Sequence, residues 1–295
     1  MANKNVLNII EYFSFRIWLA CFSLLPRFLS RSFLLFLFWS VGYCVGIRKN
    51  IAKKQLQKVF PDKSAGEVNS IIKNLYREMA LTVMDEYLTS DDALFGKCAI
   101  QGKEHVTEAL SLGRGAILAT AHFGNWEAAR ILPKAGIPLS VVAKPQRNKL
   151  FDAYTNSIRE RSGVKVINMR RGLRDIVHQL KEGRLVAILM DQNAGKSGLI
   201  MDFMGYPASH WKGVAKLSLR YKVPIVPGFA RRLKDNTIVF EFLPYTLHEE
   251  LDDTEDNVMF ILSGVNQRVE AQIRKYPEQW FWVHKRWKHV YSMFG

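Results

Sequence analysis

A chain of 295 residues with 48% hydrophobic and 12% aromatic side chains can bury a full core, which excludes a disordered basic tail. Its 42 Lys and Arg against 27 Asp and Glu give a net charge of +15, so the expected partners are polyanionic: an anionic membrane, a phosphorylated lipid, an acidic protein or nucleic acid. Cys21, Cys44 and Cys98 are too few and too scattered for a disulfide framework or a zinc site, and fit a reducing compartment.

In chain order, residues 6–47 are the most apolar stretch, with runs at 17–26 and 32–47 parted by Arg27, Phe28, Leu29, Ser30 and Arg31. A membrane-crossing helix needs about 20 apolar residues, and neither run reaches that without taking in an arginine. The pattern predicts a short snorkelling anchor or a pair of interfacial helices over residues 1–47. No small-residue cleavage site follows, which argues against a signal peptide. Arg48, Lys49, Lys53 and Lys54 come next, a cluster suited to anionic lipid on the cytoplasmic side. A buried helical hairpin is the plainer alternative; the aromatics and arginines at the edges of both runs favour the membrane.

From Pro61 the sequence turns globular. Ser64 and Glu67 form a capping-box pattern ahead of Val68, Ile71, Ile72, Leu75, Met79 and Val83, one face of a long amphipathic helix. Residues 115–127, GAILATAHFGNWE, begin as an apolar run and break into a polar loop, placing His122 at a strand end and Glu127 in the first turn of a helix. Further strands are expected at 139–143, 164–167, 185–190, 223–229 and 237–243, and helices at 150–162, 173–181, 214–221 and 254–275. Apolar strands alternating with helices predict an α/β fold: a mixed, mostly parallel central sheet flanked by helices. No internal repeat or low-complexity segment interrupts it.

The chemistry narrows by elimination. Gly-x-Ser-x-Gly is absent, so there is no nucleophile elbow. Gly195-Lys196-Ser197 lacks the earlier glycine of a phosphate loop, Gly113 and Gly115 make half a dinucleotide fingerprint, and His-x-x-x-x-Glu is not a metal spacing. What remains is His122 with a carboxylate in reach, able to take a proton from a hydroxyl. Asp191, at its own strand end, is as good a candidate for that carboxylate as Glu127. With no nucleophile beside the pair, direct transfer to a substrate hydroxyl is favoured over a covalent enzyme intermediate. A strand-end histidine satisfied by a backbone carbonyl is the bland alternative.

Seven blocks in order carry a resemblance: AHFGNWE around His122, KPQRN from Lys144, RRG from Arg170, MDQNAG from Met190, DFMGYPA from Asp202, VPIVPGFARR from Val223 and PEQWFWVHKRWK from Pro277. They resemble the late acyltransferases of lipid A biosynthesis, the lauroyl and myristoyl transferases, grouped with mycobacterial phosphatidylinositol mannoside acyltransferases. The resemblance implies a glycerolipid acyltransferase-like fold, with residues 1–47 as membrane anchor and 48–295 as catalytic domain. It implies a bacterial inner-membrane enzyme facing the cytoplasm, which moves an acyl chain from acyl carrier protein or coenzyme A to a hydroxyl of a lipid A precursor or related glycolipid. No cofactor beyond that cosubstrate, no metal and no nucleic acid is implied.

Under this resemblance His122 is the general base, Glu127 or Asp191 orients it, and the oxyanion falls to backbone amides after His122, at the helix start, or to an arginine such as Arg159 or Arg171. Lys144, Arg147, Arg170 and Arg171 would surround the phosphosugar or phosphopantetheine, while Phe123 and Trp126 would wall the acyl chain or seal the strand end. Trp280, Trp282 and Trp287 suit either an interface belt or a core closed over the C-terminus. Three departures stand out: Lys144 where many members carry arginine, the amides Gln192 and Asn193 where an acid or His is common, and Ser209-His210-Trp211-Lys212 where small residues are usual. Trp211 is expected to narrow a pocket. A thioesterase, with water as acceptor, and a basic nucleic-acid-binding protein are the readings from other classes.

Overall fold

The computed structural model describes residues 2–169 and 172–288. Four helices come first: α1 (Ala2–Leu24), α2 (Arg27–Leu37) running into a π-helical turn (Phe38–Cys44), α3 (Lys49–Val59) and α4 (Ala65–Leu88). Short α5 (Asp91–Phe95), β1 (Cys98–Gln101), α6 (Lys103–Ser111) and β2 (Ala116–Thr120) follow, then a 3-10 helix (Trp126–Ala135). The chain continues through β3 (Leu139–Ala143), α7 (Lys149–Arg161), β4 (Lys165–Asn168), α8 (Leu173–Lys181) and β5 (Leu185–Leu189). It ends with a hairpin of β6 (Leu199–Phe203) and β7 (Tyr206–His210), then α9 (Gly213–Tyr221), β8 (Ile225–Arg232), β9 (Ile238–Phe242) and α10 (Glu255–Lys275).

Seven strands form one sheet in the order β1-β9-β8-β2-β5-β3-β4. Every neighbouring pair is parallel except β8 and β9. β2 is central, and its two faces enter different cores. Ile117 and Ala119 pack with residues of α9 and α10, whereas Ala116 and Leu118 pack with α6 and the 3-10 helix. Burial on both faces is why this strand is a continuous apolar run with no alternation. A third core, of α3, α4, the hairpin and the C-terminal tryptophans, closes over the end of β2 at Ala121 and Phe123.

The expected capping box forms at the start of α4: Ser64 Oγ accepts from the Glu67 amide, and the Glu67 carboxylate accepts from the Ser64 amide. Two expectations are corrected. The segment after His122 is a 3-10 helix, because Pro133 inside it has no N–H to give and its ring crowds an α-helical turn. The first apolar run is the end of a longer helix, whose Asn5–Leu24 portion is long and apolar enough to cross a membrane. Its polar residues interrupt the sequence but share one side of the fold: Arg16 lies over the Tyr154 ring, and Glu11 approaches Asn148. Most of the second run, 32–47, lies in the helical segment Arg27–Cys44, which bends by 74° from α3. Within it Ser30 and Leu34 are buried, and the π-helical turn packs on α4, Gly42 against the Tyr76 ring, so contacts cross the change of composition at residue 47.

Candidate active site

His122 sits two residues beyond β2 and Asp191 two residues beyond β5. These strands are parallel neighbours with Thr120 opposite Leu189, so equal overhangs carry both side chains to one spot outside the carboxyl ends of the sheet, where α/β folds hold ligands. The loop between β2 and the 3-10 helix is fastened by its main chain. Phe281 N–H donates to the His122 carbonyl at 3.1 Å, Gly124 N–H to Gln279 O at 2.8 Å and Asn125 N–H to Ala230 O at 2.8 Å. At Gly124, with φ +55°, an added Cβ would lie 1.9 Å from the Ala230 carbonyl oxygen, so only glycine passes.

The imidazole is held from both nitrogens. His122 Nδ1 meets Asp191 Oδ1 at 2.9 Å, and Gln192 Nε2 meets His122 Nε2 at 3.2 Å. Asp191 is 4% exposed, and its other oxygen accepts from the Trp280 indole at 2.8 Å. Burial pushes this carboxyl up, but the facing imidazole and the hydrogen bonds from His122 and Trp280 outweigh burial and hold it below the ordinary carboxylate value. An ionised Asp191 keeps the proton on Nδ1 and leaves the lone pair of Nε2 as the basic site.

Glu127 is engaged elsewhere. The 3-10 helix turns its carboxylate toward α7, where Arg159 grips it through Nη2 at 2.7 Å and Nε at 3.1 Å. Trp126 Nε1 adds a third bond at 3.2 Å. Of the two carboxylates left open by the sequence, Asp191 is the one bonded to the ring. Burial alone would weaken the hold of Arg159 on its proton, but Glu127 outweighs it and raises its pKa. Nη1 of Arg159 donates to Asn156 Oδ1 at 2.9 Å, so most of the guanidinium is occupied. Beneath this pair lies Glu86, whose carboxyl is pushed up to about 8 by burial and then by the Glu127 charge.

A cavity of about 250 Å³ opens at His122, Glu127 and Arg159 and runs down the sheet face. Its floor and sides are small or apolar: Leu118, Ala129, Val141, Ala187, Gly228 and Ala230, ending among Phe240 and Phe242. Trp126 walls it as expected. Phe123 does not: it is 1% exposed and packs with Phe229, because the residue after His122 points into the third core. Lys144 stands at the mouth and, with Arg147 and Lys149, lines a polar opening beside it. Arg170 and Arg171 lie outside the described residues. The amides of Phe123, Gly124 and Asn125 are all bonded to other carbonyls, so these three of the expected oxyanion donors are already used. Trp211 is 43% exposed and lines neither this cavity nor its polar neighbour. Trp280, Trp282 and Trp287 are at most 2% exposed, so they close the core instead of forming an interface belt.

The model of the bacterial lipid A biosynthesis acyltransferase family matches residues 3–289. The chain belongs to that family. Lipid A biosynthesis palmitoleoyltransferase of Escherichia coli is 25% identical over 246 residues, 82% of this chain and 79% of its own. Phosphatidylinositol mannoside acyltransferase of Mycolicibacterium smegmatis is 26% identical over 189 residues, 62% of this chain and 60% of its own. Among solved structures, the 1-acyl-sn-glycerophosphate acyltransferase of Thermotoga maritima overlays with a TM-score of 0.39 and 14% identity, covering 83% of this chain and 97% of that one. That likeness is too loose to carry argument.

Several residues that shape this acyltransferase's site give no sequence signal on their own. Gln192 touches the His122 ring, and Arg286, fully buried, pins the Gln192 and Ser209 carbonyls. His284 accepts from the Asn193 amide at 3.1 Å; burial pushes it down to about 4, with Asp191 opposing only in part. His210, beside Arg286, is pushed down to about 3 by burial and then by that guanidinium. Asn125 caps the 3-10 helix and donates to Asp85 Oδ2 at 3.1 Å, itself paired with buried Arg232 at 2.9 Å. Only the spacing of Asp191 two past its strand, equal to that of His122, could have been read in advance.

Proposed function

We propose that this acyltransferase moves a fatty acyl group from a thioester, of acyl carrier protein or coenzyme A, to a hydroxyl of a lipid A precursor, with His122 Nε2 as general base. The observation that carries the reading is the pairing of buried Asp191 with half-buried His122, whose Nε2 opens on a cavity with an apolar floor. The acceptor hydroxyl takes the place now held by the Gln192 amide and gives its proton to Nε2. Its oxygen attacks the thioester carbonyl; the C–O bond forms, the C–S bond breaks, and the imidazolium returns the proton to the departing thiolate. The displaced Gln192 amide and the Lys144 ammonium are the donors nearest the developing oxyanion. Among the described residues the cavity lining includes neither Ser nor Cys, and the proposed transfer runs in one step without an acyl-enzyme.

The acyl chain in transit lies along the sheet face, and Phe240 and Phe242 set its end. Lys144 and Arg147, joined by Arg170 and Arg171 as the family resemblance implies, hold the phosphate of head group or phosphopantetheine. Arg159 acts through Glu127, fixing the wall of the mouth. Helix α1 with residues 25–47 anchors the chain in the bacterial inner membrane, residues 48–295 act from the cytoplasmic side, and an acidic carrier protein meets the net charge of +15.

His122→Ala tests the reading. Transfer to lipid is expected to fall about 100- to 10,000-fold while the protein stays folded and membrane-bound; near wild-type turnover would return His122 to a structural role. Mass spectrometry of total lipids from cells lacking the protein then identifies acceptor and chain length together, and an unchanged lipid A would count against this acceptor.

A further inference from the structure

Two apolar compartments meet beside His122, and the reaction as described fills only one. The second has a volume of about 420 Å³ and lies between the π-helical turn, α4 and the C-terminal stretch. Phe38, Val41, Tyr76, Met79 and Phe281 wall it, and Arg48 stands at its edge, bonded to the Val283 carbonyl at 3.2 Å. Trp126 belongs to the first compartment and Phe281 to the second. Their rings meet edge to face 5.9 Å apart, and the Phe281 ring lies 6.1 Å from that of His122. A single layer of aromatic rings therefore separates the two compartments at the base.

The compartments open in different directions. The first runs down the sheet face and ends among Phe240 and Phe242. Val41 and Ile47, at the lip of the second, are 38% and 56% exposed, and on the same stretch of chain Phe36, Trp39 and Val45 are 61%, 44% and 77% exposed. Its apolar wall is thus continuous with the apolar outer surface of the N-terminal helices, the surface suited to a bilayer. Acyl transfer to a lipid must house two hydrocarbon groups at once: the chain in transit and a chain that the acceptor already carries. The sheet-face cavity suits the first, which leaves the bilayer with its carrier. The open groove suits the second, which stays continuous with the lipid phase while its hydroxyl reaches Nε2.

We propose that the groove between the π-helical turn and α4 holds an acyl chain of the acceptor lipid, with Arg48 placed to meet an anionic group above it. This rests on the reading of His122 as the base of transfer to a lipid hydroxyl. The groove is a determinant of acceptor recognition, separate from the cavity that measures the donor chain.

The full-length protein in detergent micelles allows the test, with the acylated lipid A precursor and its O-deacylated form as acceptors. In the wild type, a precursor bearing a terminal diazirine on an acyl chain should label residues 37–47 and 76–79 on irradiation. Label confined to Phe240 and Phe242, or spread over α1, would overturn the proposal. Val41→Trp fills the groove from an exposed position and is expected to lower at least ten-fold the ratio of kcat/KM for the acylated over the O-deacylated acceptor. An unchanged ratio, with transfer intact, sinks the groove alone. A wild type that only hydrolyses the thioester sinks the function reading and the groove with it.

Discussion

The site has two carboxylate-bearing regions that look alike in sequence and differ in the fold. At the strand ends, Asp191 is buried, points at His122 and draws its second hydrogen bond from an indole. On the 3-10 helix, Glu127 is five residues from His122 yet turns away to a bidentate arginine on α7. Strand register across 69 residues brings a carboxylate to the His122 imidazole more directly than closeness along the chain does. In the proposed reaction the first region handles the proton and the second holds the wall of the mouth.

That division has measurable consequences. Asp191→Asn keeps the shape and removes the charge that fixes the tautomer, so kcat is expected to drop about 100- to 10,000-fold with little change in KM. A mild loss there, with a severe one on Glu127→Gln, would reverse the roles. Glu127→Gln is expected to act mainly on binding: it loosens Arg159 at the cavity mouth and should raise KM for the thioester about ten-fold, with a smaller fall in kcat than Asp191→Asn. Steady-state kinetics of the two variants side by side decide it.

The smallest effect concerns Glu86 under the second region. Its folded pKa, pushed up to about 8, lies above the value of about 4.3 for a free glutamate. Between those values the folded state keeps a proton that the unfolded chain gives up, so stability falls as pH rises from about 4 to 8 and levels off beyond. Glu86→Gln should flatten that slope in denaturation curves taken across the range; an unaltered slope would mean that Glu86 is ionised in the folded protein.

Much of the frame was legible because the strands are apolar runs between capped helices. The expected helix at 173–181 coincides with α8, and β3 falls where its alternation with α7 placed it. Other elements hid for physical reasons. The β6–β7 hairpin turns on Met204 and Gly205, both with positive φ; methionine there gives none of the signal that Asn-Gly would. β1 is four residues long with two exposed. Helix α1 was hidden by Glu11 and Arg16, which a hydropathy count scores as interruptions. In the site, His122 showed itself where an apolar run broke, but Phe123 misled, since consecutive residues in an extended loop face opposite ways. Gln192, His284 and Arg286 meet through tertiary contacts alone.

The clamp at Gly124 separates two tasks that enzymes often entangle. Because the loop after His122 is tied to β8 and to the C-terminal stretch through peptide groups, the place of the imidazole depends little on which side chains surround it. Residues lining either compartment can be exchanged without moving the imidazole. A scaffold of this kind can be retuned to a longer acyl chain or a different lipid by a few surface-to-cavity substitutions, while a single methyl group added at residue 124 would be felt by every substrate alike.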